Sequence, residues 1–246
     1  MSIETYGAGE RLRVAARLSV PFGVEHRLVL LPVPSTRDGR CVSGTDIPLS
    51  DALEGASEDT YIFGYGLPSL FSFEARSCGA SVVDLSLDEE YLERNADLTA
   101  LGTVGYILTT STRIPSELSI GVVGYGRIGT ALVHYLLFFG ARLRVFTSRP
   151  EVRRELGESG VDTGDYSPLD LRGIDILINT APMDMSGFFP AGIASGMRVI
   201  ELASGNNFEG VEGVEGLPSI PERYYPESAG RTYAAVIKKH FTGVGV

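Results

Sequence analysis

Gly124, Gly126 and Gly129 punctuate the stretch SIGVVGYGRIG, residues 119–129. This spacing suits a turn that cradles a pyrophosphate, and it also serves as a plain tight turn between a strand and a helix. The flanking residues favour the first reading. Val122 and Val123 close an apolar run directly before Gly124, which permits a sharp turn. Gly126 has no side chain to hold a pyrophosphate off the backbone, and Gly129 lets a helix pack close to a sheet. Tyr125, Arg127 and Ile128 complete the turn. Beyond it, Ile128, Ala131, Leu132, Tyr135, Leu136 and Phe139 recur at helical spacing, and Gly140 can end the helix in a left-handed conformation. An anion in the turn would sit on free N–H groups at the positive end of that helix.

The next strand ends FTSRP, residues 146–150. An NAD site places Asp or Glu there to accept from the ribose hydroxyls. None stands between Phe146 and Arg149. Thr147, Ser148 and Arg149 suit a 2′-phosphate instead, because the guanidinium offers a planar fork of donors and a permanent charge. This predicts NADP, with NAD as the alternative. A solvated surface charge is the other reading of Arg149.

Elements must position these groups, and the chain alternates accordingly. RLVLLPV (27–33), TYIFGYG (60–66) and ASVVDLS (80–86) read as strands, with a short helical stretch from Ser50 and a helix within 67–79. A helix over 99–112, with Thr99 as its N-cap, leaves this group. A second alternation follows: strand 119–123, helix 127–139, strand 142–147, a helix near 150–159, then strands within IDILINTAP (174–182) and MRVIELASG (197–205). Pro226 opens a closing helix over 226–241. The fold class is therefore α/β, a Rossmann-type doubly wound parallel sheet with a second, smaller α/β lobe. The expected domains are a small lobe over 1–97, a nucleotide-binding domain over 98–225, and a helix in 226–246 that packs back on the first lobe.

Composition bounds the rest. The 246 residues carry a net charge of −10, which disfavours general nucleic-acid binding. There is no run of 18 apolar residues and no signal-peptide core at the start, so no membrane span is expected and the cytoplasm is the default location. Cys41 and Cys78 lack metal-ligand spacing, and no metal site is expected.

The chain resembles the A-type component of dipicolinate synthase, a relative of the D-2-hydroxyacid dehydrogenases. The stretches that carry the resemblance are LVLLPVPSTRDGRCVSGTDIPLSD (28–51), NADLTALG (95–102), IGVVGYGRIG (120–129), INTAP (178–182), ELAS (201–204) and GLPSIPERYYPESAGRTYA (216–234). The glycine turn is widely shared; the loop after the first strand and the Leu-Pro…Pro-x-Ser-Ala-Gly tail are more specific. The resemblance implies a pyridine-nucleotide-dependent oxidation of dihydrodipicolinate to dipicolinate, a sporulation metabolite, with the family's B-type flavoprotein as partner. The chain also departs from the family. Residues before Arg27 read as too few for a first β-α unit, so the lobe is expected to be N-terminally shortened. Leu101 stands where the family commonly has Glu, a Lys is missing from SIPERYYPESAG, and the turn after ELASG is shortened.

In a doubly wound sheet, ligands lie beyond the carboxyl ends of the strands. That edge supplies Thr180, Ala181 and Pro182, then Ala203 and Ser204 for the cofactor; Asn206 and Asn207 offer neutral hydrogen bonds. For a carboxylated substrate the candidates are Ser35, Thr36, Arg37, Leu217 and Pro218, with Arg40 and Arg223 as further cations. Arg37 is the preferred anchor, since a bidentate Arg–carboxylate pair orients as well as attracts. Glu201 is the candidate base, and it can equally cap a backbone turn. His26, His134 and His240 are each better read as packed, helical or terminal residues, and Tyr224 and Tyr225 as packing. A homodimer is expected from apolar surface left on the small lobe. Two rival functions stay open: a 2-hydroxyacid dehydrogenase-like reductase, and a nucleotide-binding sensor or accessory protein without catalysis.

Overall fold

The computed structural model describes residues 2–23, 25–166, 169–189 and 192–243. The chain divides into two units, Met1–Leu98 with Pro221–Val246, and Thr99–Ile220.

The first unit holds a four-stranded parallel sheet in the order β1-β2-β3-β4, formed by β1 (Ile3–Thr5), β2 (Arg27–Leu30), β3 (Thr60–Gly64) and β4 (Ser81–Asp84). Period-two alternation sends Leu28 and Leu30 to one face and Val29 and Leu31 to the other. Leu28 and Leu30 pack with Phe63, Tyr91, Tyr233 and Ile237; Val29 and Leu31 pack with Ile62, Phe71 and Ala75. The helices are α1 (Glu10–Ser19), α2 (Ser69–Ser77) and the first part of α3 (Glu89–Thr110). The short α6 (Ile220–Tyr224) then leads into the last helix, α7 (Pro226–Thr242). A Cβ on Gly230 of α7 would come within 2.4 Å of Val14 and 2.8 Å of the Arg11 carbonyl oxygen, so α7 crosses α1 at backbone distance.

Two expectations fail here. Residues before Arg27 do supply a complete β-α unit, β1 followed by α1, so the lobe is not shortened. The strand hides because IET is only three residues at a sheet edge and carries no apolar run. The helix at the end of the lobe begins at Glu89, not at Thr99. Its cap is Asp88, whose carboxylate accepts from the Tyr91 N–H at 2.8 Å, and Glu89 and Glu90 complement the positive helix end. Thr99 is a buried interior residue whose hydroxyl cannot serve as a cap there.

The second unit is a six-stranded parallel sheet. Its strands are β5 (Ser119–Val123), β6 (Arg142–Phe146), β7 (Asp162–Gly164), β8 (Ile176–Asn179), β9 (Arg198–Glu201) and β10 (Val214–Gly216). The spatial order is β10-β9-β8-β5-β6-β7. The first strand of the unit therefore lies in the middle, with the chain winding out one way through β6 and β7 and the other way through β8 to β10. This is the dinucleotide-binding strand order, with its switch point between β5 and β8. Helices α4 (Arg127–Phe138) and α5 (Pro150–Glu158) connect β5 to β6 and β6 to β7. The fully buried runs in β5 and β8 fit a sheet covered on both faces. The edge strands β7 and β10, three residues each and only partly buried, have no comparable run and escape a reading by hydrophobic pattern.

Candidate nucleotide turn and the loops beyond the strand ends

The glycine turn leaves β5 at the switch point. Gly124 has φ of +93°, and a Cβ there would lie 2.6 Å from the Thr180 hydroxyl. A Cβ on Gly129 would lie 2.2 Å from the Gly124 carbonyl oxygen. Both glycines are thus required by the protein's own packing. Gly126 differs: it is exposed, is the N-cap of α4 without a side-chain cap, and a Cβ added there meets nothing within 4 Å. The open side of the turn lies at a helix start, where backbone N–H groups point outward in general.

The loop after β8 is built by a residue that sequence reasoning passed over. Asn179 is fully buried. Its amide donates to the Ala181 carbonyl at 2.9 Å and to both Glu201 oxygens at 3.2 and 3.1 Å, and its oxygen accepts from the Ala181 N–H at 3.1 Å. Thr180 donates its hydroxyl to the Val123 carbonyl at 2.9 Å, so that hydroxyl ties β8 to the end of β5. Ala181 is half-buried and Pro182 exposed.

Glu201, at the end of β9, also accepts from the Ala203 N–H at 2.6 Å. Burial raises its carboxyl above the ordinary range, against the hydrogen bonds from Asn179 and Ala203, which lower it. Glu201 therefore caps the turn into Ala203–Asn207. Beyond it Ser204 and Asn206 are exposed, while Asn207 is buried and donates to the Ser204 carbonyl at 3.3 Å. Leu217 is buried and Pro218 exposed just after β10.

At the end of β6, Thr147 is buried, and Ser148 and Arg149 are exposed. Arg149 donates to the Tyr125 carbonyl, which ties this corner to the glycine turn. Asp165, after β7, is paired with Arg153 at 3.1 Å. Burial raises the Tyr166 phenol, and Arg149 opposes that shift.

In the first unit, the loop after β2 carries the substrate candidates. Ser35 is fully buried; it donates to the Pro32 carbonyl at 3.1 Å and accepts from the Tyr65 N–H at 2.7 Å. Thr36 donates to Asp38 at 3.1 Å and accepts from the Gly39 N–H at 3.0 Å. Both hydroxyls thus shape the loop. Arg37 and Arg40 are exposed, and neither has a side-chain hydrogen bond or ion pair among the described residues. Arg223 stands over the Tyr224 ring, 5.7 Å from its centroid.

The histidines sit elsewhere. His26 stacks on Phe241 at 5.1 Å and His240 meets Tyr61 edge-on at 5.4 Å, inside one aromatic cluster. His134 is exposed on α4. Leu101 is half-buried within α3. A groove of about 740 Å³, lined by Leu18, Phe22, Arg94, Arg231 and Lys238 among others, belongs to the first unit, and no residue of the glycine turn lines it. Among the described residues no helix is long and apolar enough to cross a membrane.

No family model matches the chain, and no curated protein does. Solved structures do match. The A-type component of dipicolinate synthase from Bacillus halodurans superposes with a TM-score of 0.79 at 19% identity, covering 97% of each chain. Its counterpart from Bacillus subtilis gives 0.76 at 19% identity, covering 98% of this chain and 95% of that one. A transhydrogenase from Sinorhizobium meliloti gives 0.62 at 17% identity, covering 88% and 73%. The fold is that of the A-type component of dipicolinate synthase. Near-complete coverage of the halodurans chain agrees with the presence of β1 and α1.

Proposed function

We propose that the chain is an NADP(H)-dependent oxidoreductase that moves a hydride between the nicotinamide and a small carboxylated substrate such as dihydrodipicolinate. The observation that carries the reading is Gly126, an exposed helix N-cap with open space where its side chain would be, at the reversal of the strand order. Tyr125, Arg127 and Ile128 flank the diphosphate. Thr180–Pro182 and Ala203–Ser204 approach the nicotinamide from the ends of β8 and β9.

NADP over NAD is favoured by the corner after β6. Thr147, Ser148 and Arg149 present hydroxyls and a guanidinium, and the acid after β7 is engaged by Arg153. In the forward direction the dihydropyridine gives a hydride to NADP⁺ and loses a proton. Glu201, with its raised proton affinity, is the acceptor we assign to that proton. Arg37 is the exposed cation that the loop after β2 offers to the substrate, with Ser35 and Thr36 setting the shape of that loop. Leu217 and Pro218 contribute the wall after β10.

The partners in this reading are a B-type flavoprotein and a second copy of the chain. Leu70 and Phe73, 69% and 68% exposed on α2, support self-association. The cytoplasm is the location that suits these cofactors. A second reading, a nucleotide-binding protein without turnover, draws support from Thr180 and Glu201, whose polar atoms are already spent on protein partners. The test is purified protein titrated with NADPH by cofactor fluorescence, then assayed with NADP and dihydrodipicolinate, alone and with a flavoprotein partner. Binding with turnover supports the enzyme. Binding without turnover under either condition supports the second reading, and absence of binding removes both.

A further inference from the structure

Arg11 lies in the first turn of α1 and is 3% exposed. Its Nη1 donates to the Tyr91 hydroxyl at 3.3 Å, and its Nε is buried with no partner among the described residues. No ion pair balances its charge among the described residues. Tyr91 cannot do so, because burial pushes its phenol up to about 12 and it stays neutral. Tyr233, fully buried behind it, spends its hydroxyl on the Leu31 and Phe63 carbonyls. A guanidinium removed from water without a counter-charge is costly, so a chain that keeps one there has a use for it.

The surroundings define what would balance it. Gly7 and Gly9 follow β1, Ser35 follows β2 and Tyr65 follows β3, so Arg11 stands at the carboxyl edge of a parallel sheet, where such sheets take ligands. Tyr91 accepts from Arg11, and its own hydroxyl proton has no acceptor among the described residues. The Tyr65 ring lies 6.1 Å from the Tyr91 ring and gives the place an aromatic wall. Among the described residues, Glu222 is the acid whose charge acts on Tyr91; its Oε1 is 2.0 Å from where a Gly9 Cβ would be.

We propose that Arg11, with the Tyr91 hydroxyl, is a carboxylate-binding site for a small planar carboxylic acid. The guanidinium fork takes the carboxylate, Tyr91 adds a hydrogen bond, and Tyr65 packs beside the ring. Glu222, whose charge acts on Tyr91, opposes a second negative charge there. This deepens the carboxylated-substrate reading above and rests on it, but it does not depend on the nucleotide.

The test is isothermal titration of the full chain with pyridine-2,6-dicarboxylate and with pyridine-2-carboxylate, without nucleotide, beside a separate NADPH titration. Wild type should bind at least one of the two acids. Arg11→Met should weaken that binding by about fiftyfold or more, Tyr91→Phe by about tenfold, and Glu222→Gln should tighten it about threefold, with NADPH affinity unchanged throughout. Tyr91→Phe keeps the test decisive if Arg11→Met does not fold. Failure of wild type to bind either acid, or full affinity in Arg11→Met or Tyr91→Phe, overturns the site. NADPH binding without acid binding sinks this proposal and leaves the nucleotide reading standing; acid binding without NADPH does the reverse.

Discussion

Substituting the three turn glycines one at a time separates what the protein needs from what a ligand needs. Gly126→Ala adds a methyl group into space with no atom within 4 Å, at a residue whose φ is −85°. Alanine adopts that backbone freely. Losing Gly at an N-cap costs on the order of 0.5–1 kcal/mol. The lower chain entropy of unfolded Ala returns about 0.4–1 kcal/mol. Stability should therefore stay within about 1 kcal/mol of wild type, a shift of about 2–4 °C or less in Tm for a chain of this size. The methyl can meet only a bound group, and NADPH affinity should fall at least about tenfold, or about 1.4 kcal/mol. Gly129→Ala has the opposite signature. Its Cβ would lie 2.2 Å from a backbone oxygen, and neither partner is a flexible side chain. Overpacking of that kind costs about 1–3 kcal/mol, so Tm should fall by about 2–12 °C. Gly124→Ala adds the left-handed penalty of φ +93° to a 2.6 Å clash and should be at least as damaging. The assays are thermal melts without ligand and NADPH fluorescence titrations. A Gly126→Ala protein that melts normally and binds NADPH as wild type would refute the assignment of the turn.

Three further outcomes follow from the charges. Arg149→Ala should weaken NADPH by about ten- to a hundredfold and leave NADH unchanged, as paired titrations would read; equal losses would place Arg149 outside the 2′-phosphate corner. Asp84 accepts from the Gly66, Leu67 and Ser86 N–H groups at 2.8–2.9 Å. Burial raises its carboxyl, but these hydrogen bonds outweigh it and leave the pKa below the ordinary 3.8. A depressed folded pKa gives stability above the unfolded value that is lost as pH falls through the folded one. Asp84→Asn should lose about 1 kcal/mol at neutral pH and flatten the melt-versus-pH curve below about pH 4; an unchanged curve would contradict this. Glu201 runs the other way. Its raised folded pKa makes stability fall as pH climbs from 4.5 through that value, and Glu201→Gln should remove the fall. If Glu201 takes the substrate proton, the same variant loses about a hundredfold or more in kcat with NADPH affinity intact; retained kcat would make it a turn cap alone.

The parts legible in the sequence are those in which a single segment carries the whole signal. SIGVVGYGRIG holds its strand, turn and helix start in eleven consecutive residues, and both the strand bounds and the helix start emerge where the pattern puts them. What escaped depends on partners far away in the chain. β1 is three residues of ordinary polarity that become a strand only because β2 offers its edge. Asn179 looks like one more polar residue at a strand end, and its importance arises from Glu201, twenty-two positions on. Arg11 is the sharper case. In MSIETYGAGERLR it reads as one more surface charge in a polar opening, and nothing local distinguishes it from Arg13, which pairs with Glu10 in solvent. The difference is made by Tyr91, eighty residues away, and by α7, which closes over α1 at Gly230. Gly7 and Gly9 stand in GAG directly before the helix, with Gly7 at φ +96°, but the space beside Gly9 is filled by Glu222 where that beside Gly126 is open. Both glycine pairs follow the carboxyl end of a parallel strand. Only the first is followed, at the second helical residue, by a guanidinium that the fold then buries. That buried cation, bonded to Tyr91 alone, is the ground for proposing a carboxylate site in the first unit, as the open helix start at Gly126 is the ground for proposing a diphosphate site in the second.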